Sequence, residues 1–256
     1  MQISVLSSGS RGNSTLIQTK NTKILIDLGV TKSYIENNLK EINVDPKEIS
    51  AILITHTHID HIQGLKVFLK KYSPKVYVTK DLLLLLDEYD LNADYEIYDR
   101  TNAIINDIEV SLIKTSHDEP ASIGFIIKNE DKSCVYITDT GYINNKYFEI
   151  LKNHDLYVLE SNHDVKMLMT GNYPHHLKKR ILGNKGHLSN DDAAYYLSEF
   201  IGNKTKTIIL AHLSDDNNTY EKALETVTGV LKSKNKKVKN IIIAKQKQRT
   251  DLIEIW

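Results

Sequence analysis

Two β-sheets packed together with helices outside, all within one α/β domain spanning 1–256, is the fold class this sequence predicts. Three observations predict it. Short runs rich in β-forming residues crowd both halves of the chain, several of them lead into segments with helical apolar spacing, and no proline- or glycine-rich linker divides them. A length of 256 residues suits one large domain and allows a substantial core.

The elements follow in order. Residues 3–7, 14–19 and 23–27 read as strands, with Gly9 and Gly12 marking a tight turn between the first two. A helix is expected after Thr31, because Ile35, Leu39 and Ile42 fall on one face. Asp45-Pro46 reads as the cap and first-turn proline of a short helix. The apolar run 51–55 has strand length and suggests burial on both faces. Leu65, Phe68 and Leu69 show helical spacing, and a strand at 75–79 and a helix around 82–88 follow. In the second half, 108–114, 123–128, 134–138 and 156–159 read as strands. A helix at 193–201 capped by Ser189 or Asn190, a buried strand at 208–211, a helix at 219–232 and strands at 241–244 and 252–255 complete the chain.

Composition excludes several classes. The one cysteine, Cys134, cannot form an internal disulfide, and its apolar surroundings mark a buried structural thiol. The longest leucine run, 82–86, is far too short to span a bilayer, and residues 1–6 lack a basic region followed by a long apolar stretch. A cytoplasmic location with no membrane partner is expected. Lys plus Arg equals Asp plus Glu at 33 each, so no global field draws in nucleic acid. Two basic clusters are local: Lys178-Lys179-Arg180, beside His175 and His176, and Lys232, Lys234, Lys236, Lys237 and Lys239. Each reads either as a solvated helix end or as a phosphate contact.

The chemistry concentrates in His56-Thr57-His58-Ile59-Asp60-His61. Four potential ligands lie within six residues, directly after a buried strand, where α/β proteins place ligand-binding loops. Imidazole and carboxylate suit zinc, manganese or iron(II) alike. A tight turn can aim His56 and His58 at one ion while Asp60 and His61 reach a second.

The His-x-His-x-Asp-His pattern after a hydrophobic strand resembles the signature of the metallo-β-lactamase superfamily. That resemblance implies an αββα sandwich of two mixed sheets packed face to face, with two divalent metal ions at one edge. It also implies further ligands. His117 resembles the third His of the first metal, Asp139 the bridging carboxylate, and His212 the last ligand of the second metal. Asp27 resembles the carboxylate that braces the cluster. The implied chemistry is hydrolysis by a metal-bridging hydroxide, with the metals about 3.5–4 Å apart. Asp139 stands where a zinc β-lactamase commonly has cysteine, and His58 where the flavo-diiron proteins have glutamate.

Other motifs narrow the reading. The stretch from Ser7 to Ser14, reading Ser-Ser-Gly-Ser-Arg-Gly-Asn-Ser, resembles the start of nucleic-acid-processing members. Gly186-His187-Leu188-Ser189 and Ala211-His212-Leu213-Ser214 resemble motifs of the tRNA 3′-processing endonucleases, without an evident counterpart of their long arm. With Glu160-Ser161-Asn162-His163-Asp164, the whole chain looks most like the YycJ/WalJ family, which is associated with 5′→3′ exonuclease activity on DNA and a proposed role in mismatch repair. The resemblance implies a nucleic acid substrate, with DNA favoured over RNA. Asp60 and His187 are then the catalytic candidates, His187 as general acid or phosphate contact. Glycine before His187 suggests close substrate approach. Glu160 and His163 are placed as supporting or substrate-binding residues. The alternative is an acyl hydrolase, a thioesterase or lactonase, on the same two-metal site. The sequence leaves open the metal, DNA versus RNA versus a small-molecule substrate, exo- versus endonuclease action and its polarity, the oligomeric state and the role of His163.

Overall fold

A computed structural model describes residues 1–98 and 101–255. Among these residues, fourteen strands form two mixed sheets of seven. The first sheet contains β1 (Gln2–Ser7), β2 (Ser14–Gln18), β3 (Lys23–Ile26), β4 (Ala51–Leu53), β5 (Lys75–Val78) and β6 (Tyr95–Ile97) in that order, with β14 (Ile253–Glu254) outside β1. The second contains β7 (Asn102–Ile105), β8 (Ile108–Lys114), β9 (Ile123–Asn129), β10 (Lys132–Ile137), β11 (Leu156–Glu160), β12 (Thr207–Ala211) and β13 (Asn240–Ile243), also in sequence order. Pairing is antiparallel from β14 to β3 and parallel from β3 to β6. In the second sheet, β10 to β13 are parallel.

The chain divides into two compact units. One comprises Met1–Leu112, Ile127–Asp131 and Lys245–Trp256, the other Ile113–Ile126 and Lys132–Ala244.

In the first unit, the helix Lys32–Glu41 forms as its apolar spacing requires. Thr31 caps it by accepting from the Tyr34 amide, and Ile35 and Leu39 are buried. The expected short helix after Asp45 is a single 3-10 turn, Pro46–Glu48, closed by an Asp45/Glu48 capping box. In the second unit, Tyr157 and Leu159 on β11 and Ile208 and Leu210 on β12 belong to one buried cluster. Leu197 and Phe200 of helix Asn190–Phe200 and Ala223, Val227 and Leu231 of helix Tyr220–Ser233 complete it. Ser189, not Asn190, caps the first of these helices, in a capping box with Asp192.

The expected strands are all present within a residue or two of their reading, but β6 and β7 were not expected. Each has at most four residues, and none of the residues of β6 is buried. The short helices Ile59–Ile62, Val165–Thr170 and His175–Ile181 were also not expected, because segments of four to seven residues are too short to show a period. No helix among the described residues is long and apolar enough to cross a membrane.

Candidate active site

The functional side chains sit at the C-terminal ends of parallel strands. Asp27 follows β3, Thr55 and His56 follow β4, Asp139 follows β10, Glu160 closes β11 and His212 follows β12. Chain reversal there is abrupt. Asp27, Asp139 and His212 have φ of 58°, 54° and 56°, a left-handed conformation that costs a residue with a Cβ of order 1–3 kcal/mol. Three such residues among the predicted site positions mark backbone held against its preference.

In the first unit, β4 delivers Thr55 and His56, and His58 precedes the one-turn helix that carries Asp60 and His61. Asp27 is fully buried and organises this loop. Its two oxygens accept from the Thr55 amide at 2.8 Å and the Thr55 hydroxyl at 2.7 Å. The His61 Nδ1 lies 2.8 Å from the second of these oxygens, so Nδ1 carries the proton and Nε2 the lone pair. The Thr55 hydroxyl gives its one proton to Asp27, so it accepts from His56 Nδ1, 3.0 Å away. His56 therefore also presents Nε2 as a lone pair. That atom is 3.1 Å from His58 Nδ1, while His61 Nε2 is 3.6 Å from Asp60 Oδ2. Burial raises the Asp27 pKa and outweighs the opposing pull of His61 and Thr55.

Two residues outside the motif's metal-binding letters set this loop. Asn13 accepts the Gly9 amide at 2.8 Å, which orients its amide group, and its Nδ2 points to His61 Nε2 at 3.0 Å. The Asn13 amide donates to the Asp60 carbonyl at 2.8 Å. Gly29 lies under the same carbonyl. A Cβ at Gly29 would stand 1.6 Å from the Asp60 oxygen, so only glycine lets the helix settle there.

In the second unit, Glu160 is a fully buried hub. Its Oε1 accepts from His187 Nδ1 at 2.7 Å and His212 Nδ1 at 3.0 Å. Its Oε2 accepts from the amides of Thr140 at 2.9 Å and Leu188 at 3.2 Å. Burial alone would raise this carboxyl, but the attraction of His187 and the hydrogen bonds from His187 and His212 hold it at about 2. Burial would conversely lower His187, and Glu160 and Asp139 together push it up. Asp139 lies 3.4 Å from His212 Nε2. His187 is one-fifth exposed at its side chain, against 4% for both Asp139 and His212. Asn162 secures the His212 backbone by donating to its carbonyl at 2.9 Å.

His117 follows β8. Its Nδ1 faces the Gly186 carbonyl at 3.3 Å and its Nε2 lies 3.2 Å from Asp118 Oδ1, so both ring nitrogens face acceptor oxygens. Burial lowers its pKa. Asp118 is in turn ion-paired with Arg180. Gly186 has a packing explanation. The Ile181 and Arg180 carbonyls occupy the space a Cβ would take, at 2.1 and 2.4 Å, so the helix His175–Ile181 accounts for this glycine without any substrate. His163 is 1% exposed, and burial lowers it to about 4. It is bound into the same loop region through a bridge to Ser189.

The donors present fit divalent metal ions. A tetrahedral ion with bonds of about 2.0–2.1 Å to nitrogen has ligand atoms roughly 3.3 Å apart, close to the His56–His58 separation. In the second unit, Asp139, Glu160, His187 and His212 each place a ligand atom within 4.8 Å of the others. Glu160 already accepts four hydrogen bonds, the full capacity of a carboxylate, so it braces rather than ligates.

Residues 22–212 match the family described as Beta-lactamase superfamily domain. The chain belongs to this superfamily. Exodeoxyribonuclease WalJ of Streptococcus pneumoniae serotype 2 is 38% identical to it over 234 residues, covering 89% of this chain and 87% of that protein. Exodeoxyribonuclease YycJ of Bacillus anthracis is 37% identical over 238 residues, covering 91% and 90%. In fold, the chain is similar to the metallo-β-lactamase fold protein YhfI from Bacillus subtilis, with a TM-score of 0.73 at 15% identity over 97% of this chain and 98% of that one. The expected metallo-β-lactamase fold, with two mixed sheets and helices, is therefore present, and the superfamily fold implies divalent metal ions.

Proposed function

We propose that this chain is a metal-dependent exodeoxyribonuclease that removes nucleotides from DNA in the 5′→3′ direction, in the cytoplasm and as a single functional domain. The likeness to exodeoxyribonucleases across most of the chain carries this reading. The acyl-hydrolase alternative has less support, because the relatives that span the chain are named as nucleases.

The proposed ligands are His56, His58, Asp60, His61, His117, Asp139 and His212, the set the superfamily resemblance implies. Zinc or manganese is the proposed metal, with iron also compatible with these donors. When bound, the ions supply the activated water and offset negative charge on the phosphate. The chain's own residues do the rest. Asp27 and Thr55 hold His61 and His56 in the tautomers that present Nε2. Glu160 does the same for His212. His187 is anchored to Glu160 through Nδ1, and the nearby Glu160 and Asp139 carboxylates push its pKa up against the effect of burial. Its proposed role is to give the Nε2 proton to the leaving 3′ oxygen as the phosphorus–oxygen bond breaks. His163 is proposed to support this loop rather than touch substrate, given its burial.

The test is cleavage of 5′-phosphorylated DNA and RNA by metal-free protein reconstituted with manganese or zinc. Asp60→Ala is expected to abolish cleavage. His187→Ala is expected to slow it by about 10²–10⁴-fold while metals are retained, the usual contribution of a general acid. Wild-type protein that carries two metals and leaves DNA uncut would overturn the reading.

A further inference from the structure

At the N-terminal ends of β12 and β13, opposite the strand ends that carry the active-site residues, lies an open basic groove of about 610 Å³. Gly202, Asn203, Lys206, Asn235, Lys237 and Lys239 are among the residues that line it. Register explains why lysines distant in sequence meet there. Thr207 pairs with Asn240, so the residues just before the two strands, Lys206 and Lys239, lie side by side. The Asn240 amide donates to the Lys206 carbonyl at 3.1 Å, which locks the two strand starts together. Lys236 is anchored to the Ile201 carbonyl at 3.0 Å, at the wall of the groove.

Every charged residue that lines the groove is a lysine. No aspartate or glutamate occurs in 201–214 or in 226–250. Among the described residues, none of Lys206, Lys232, Lys234, Lys236, Lys237 and Lys239 has a carboxylate within ion-pair distance, whereas Lys204 lies 3.6 Å from Asp155. The ordinary reason for lysine at a helix end accounts for Lys232, in the last turn of Tyr220–Ser233, and for Lys234, its C-cap residue, both of which complement the helix dipole. The other lysines follow the helix or precede β12. In a chain of zero net charge, this is a concentrated positive surface, and side-chain amides of Asn203 and Asn235 stand beside it as further donors.

We propose that this groove binds the phosphate backbone of DNA outside the active site and holds the strand while its end is cleaved. The proposal rests on the nuclease reading above. β12 spans five residues from the groove to His212, about 16 Å at roughly 3.3 Å per residue. Along a stacked strand that is about five nucleotides at ~3.4 Å each. Short oligonucleotides therefore occupy only the active site, and longer strands reach both.

The experiment compares wild type with the triple variant Lys206→Glu, Lys237→Glu and Lys239→Glu, whose altered side chains are all exposed. Binding of a labelled single strand of about 30 nucleotides is measured without metal, so that no cleavage occurs, between about 50 and 200 mM salt. The expected result is at least a tenfold loss of affinity and a salt slope shallower by about two to three units, at roughly 0.7–0.9 per phosphate contact. With metal restored, turnover of a tetranucleotide is expected to be unchanged, which also reports that the variant is folded. Unchanged affinity and slope for the long strand would overturn the proposal. So would competition by polyglutamate as strong as that by DNA, since the groove would then be a docking surface for acidic protein. If wild type binds long DNA through this groove but cuts none, the nuclease reading fails and the groove stands.

Discussion

Replacing Glu160 by glutamine removes one acceptor oxygen from a carboxylate that is fully buried and fully engaged. Two imidazoles donate to Oε1 and two backbone amides to Oε2. A glutamine amide must turn its NH₂ towards one of these pairs. If it faces the Thr140 and Leu188 amides, two buried donors lose their acceptor and oppose another donor, at about 1–3 kcal/mol each. If it faces His187 and His212, both rings must switch their proton to Nε2 in order to accept. His212 then loses the lone pair proposed to bind metal. The first arrangement predicts a stability loss of about 2–6 kcal/mol, or roughly 5–20 °C in melting temperature for a chain of this size. The second predicts a smaller loss of stability and a metal affinity weakened by about 10–100-fold. Thermal melting in EDTA and metal content after dialysis distinguish the two. Glu160→Gln protein that melts within a degree or so of wild type and retains full metal would refute the description of Glu160 as a saturated brace.

Two further outcomes follow from single residues. Gly29→Ala is expected to destabilise the protein by about 1–3 kcal/mol or more and to reduce metal binding, because its Cβ would strike the Asp60 carbonyl; urea unfolding and metal titration check this, and unchanged values would remove Gly29 from the site's support. Cys134 is fully buried and its thiol is pushed up to about 12 by burial, so it is expected to resist thiol reagents in the native protein at pH 8 and to react fully in denaturant. Rapid labelling of the folded protein would contradict that burial.

Much of the site was legible because its chemistry is local. His56, His58, Asp60 and His61 lie within six residues, and in the structure His56 Nε2 comes to 3.1 Å from His58 Nδ1 and His61 Nε2 to 3.6 Å from Asp60 Oδ2. Asp139 and His212 were placed by the superfamily resemblance and Glu160 by the likeness to the YycJ/WalJ family, and each lies at the end of an apolar run that reads as a strand. Asn13 belonged to a quoted motif, yet its role on His61 was not visible, since a side-chain amide carries no sign of what it will orient. Thr55, Thr140 and Asn162 were missed for the same reason. Gly29 stood beside Asp27 in the sequence, but nothing local reveals that a carbonyl from Asp60 will rest on it. Positive φ at Asp27, Asp139 and His212 was equally hidden: aspartate and histidine tolerate that region better than most residues, but nothing local says which of them will adopt it.

By itself, then, the sequence determined the strand and helix periods, the cluster of metal-capable donors and its place after a buried strand. These depend on interactions within a few residues: apolar alternation, helix capping and the chemistry of imidazole and carboxylate. Tertiary structure alone decided which nitrogen each histidine presents, because that depends on partners such as Asp27 and Glu160 that lie tens of residues away. It also decided that Lys206 and Lys239 would share one groove, since strand register, and not sequence distance, sets which side chains become neighbours.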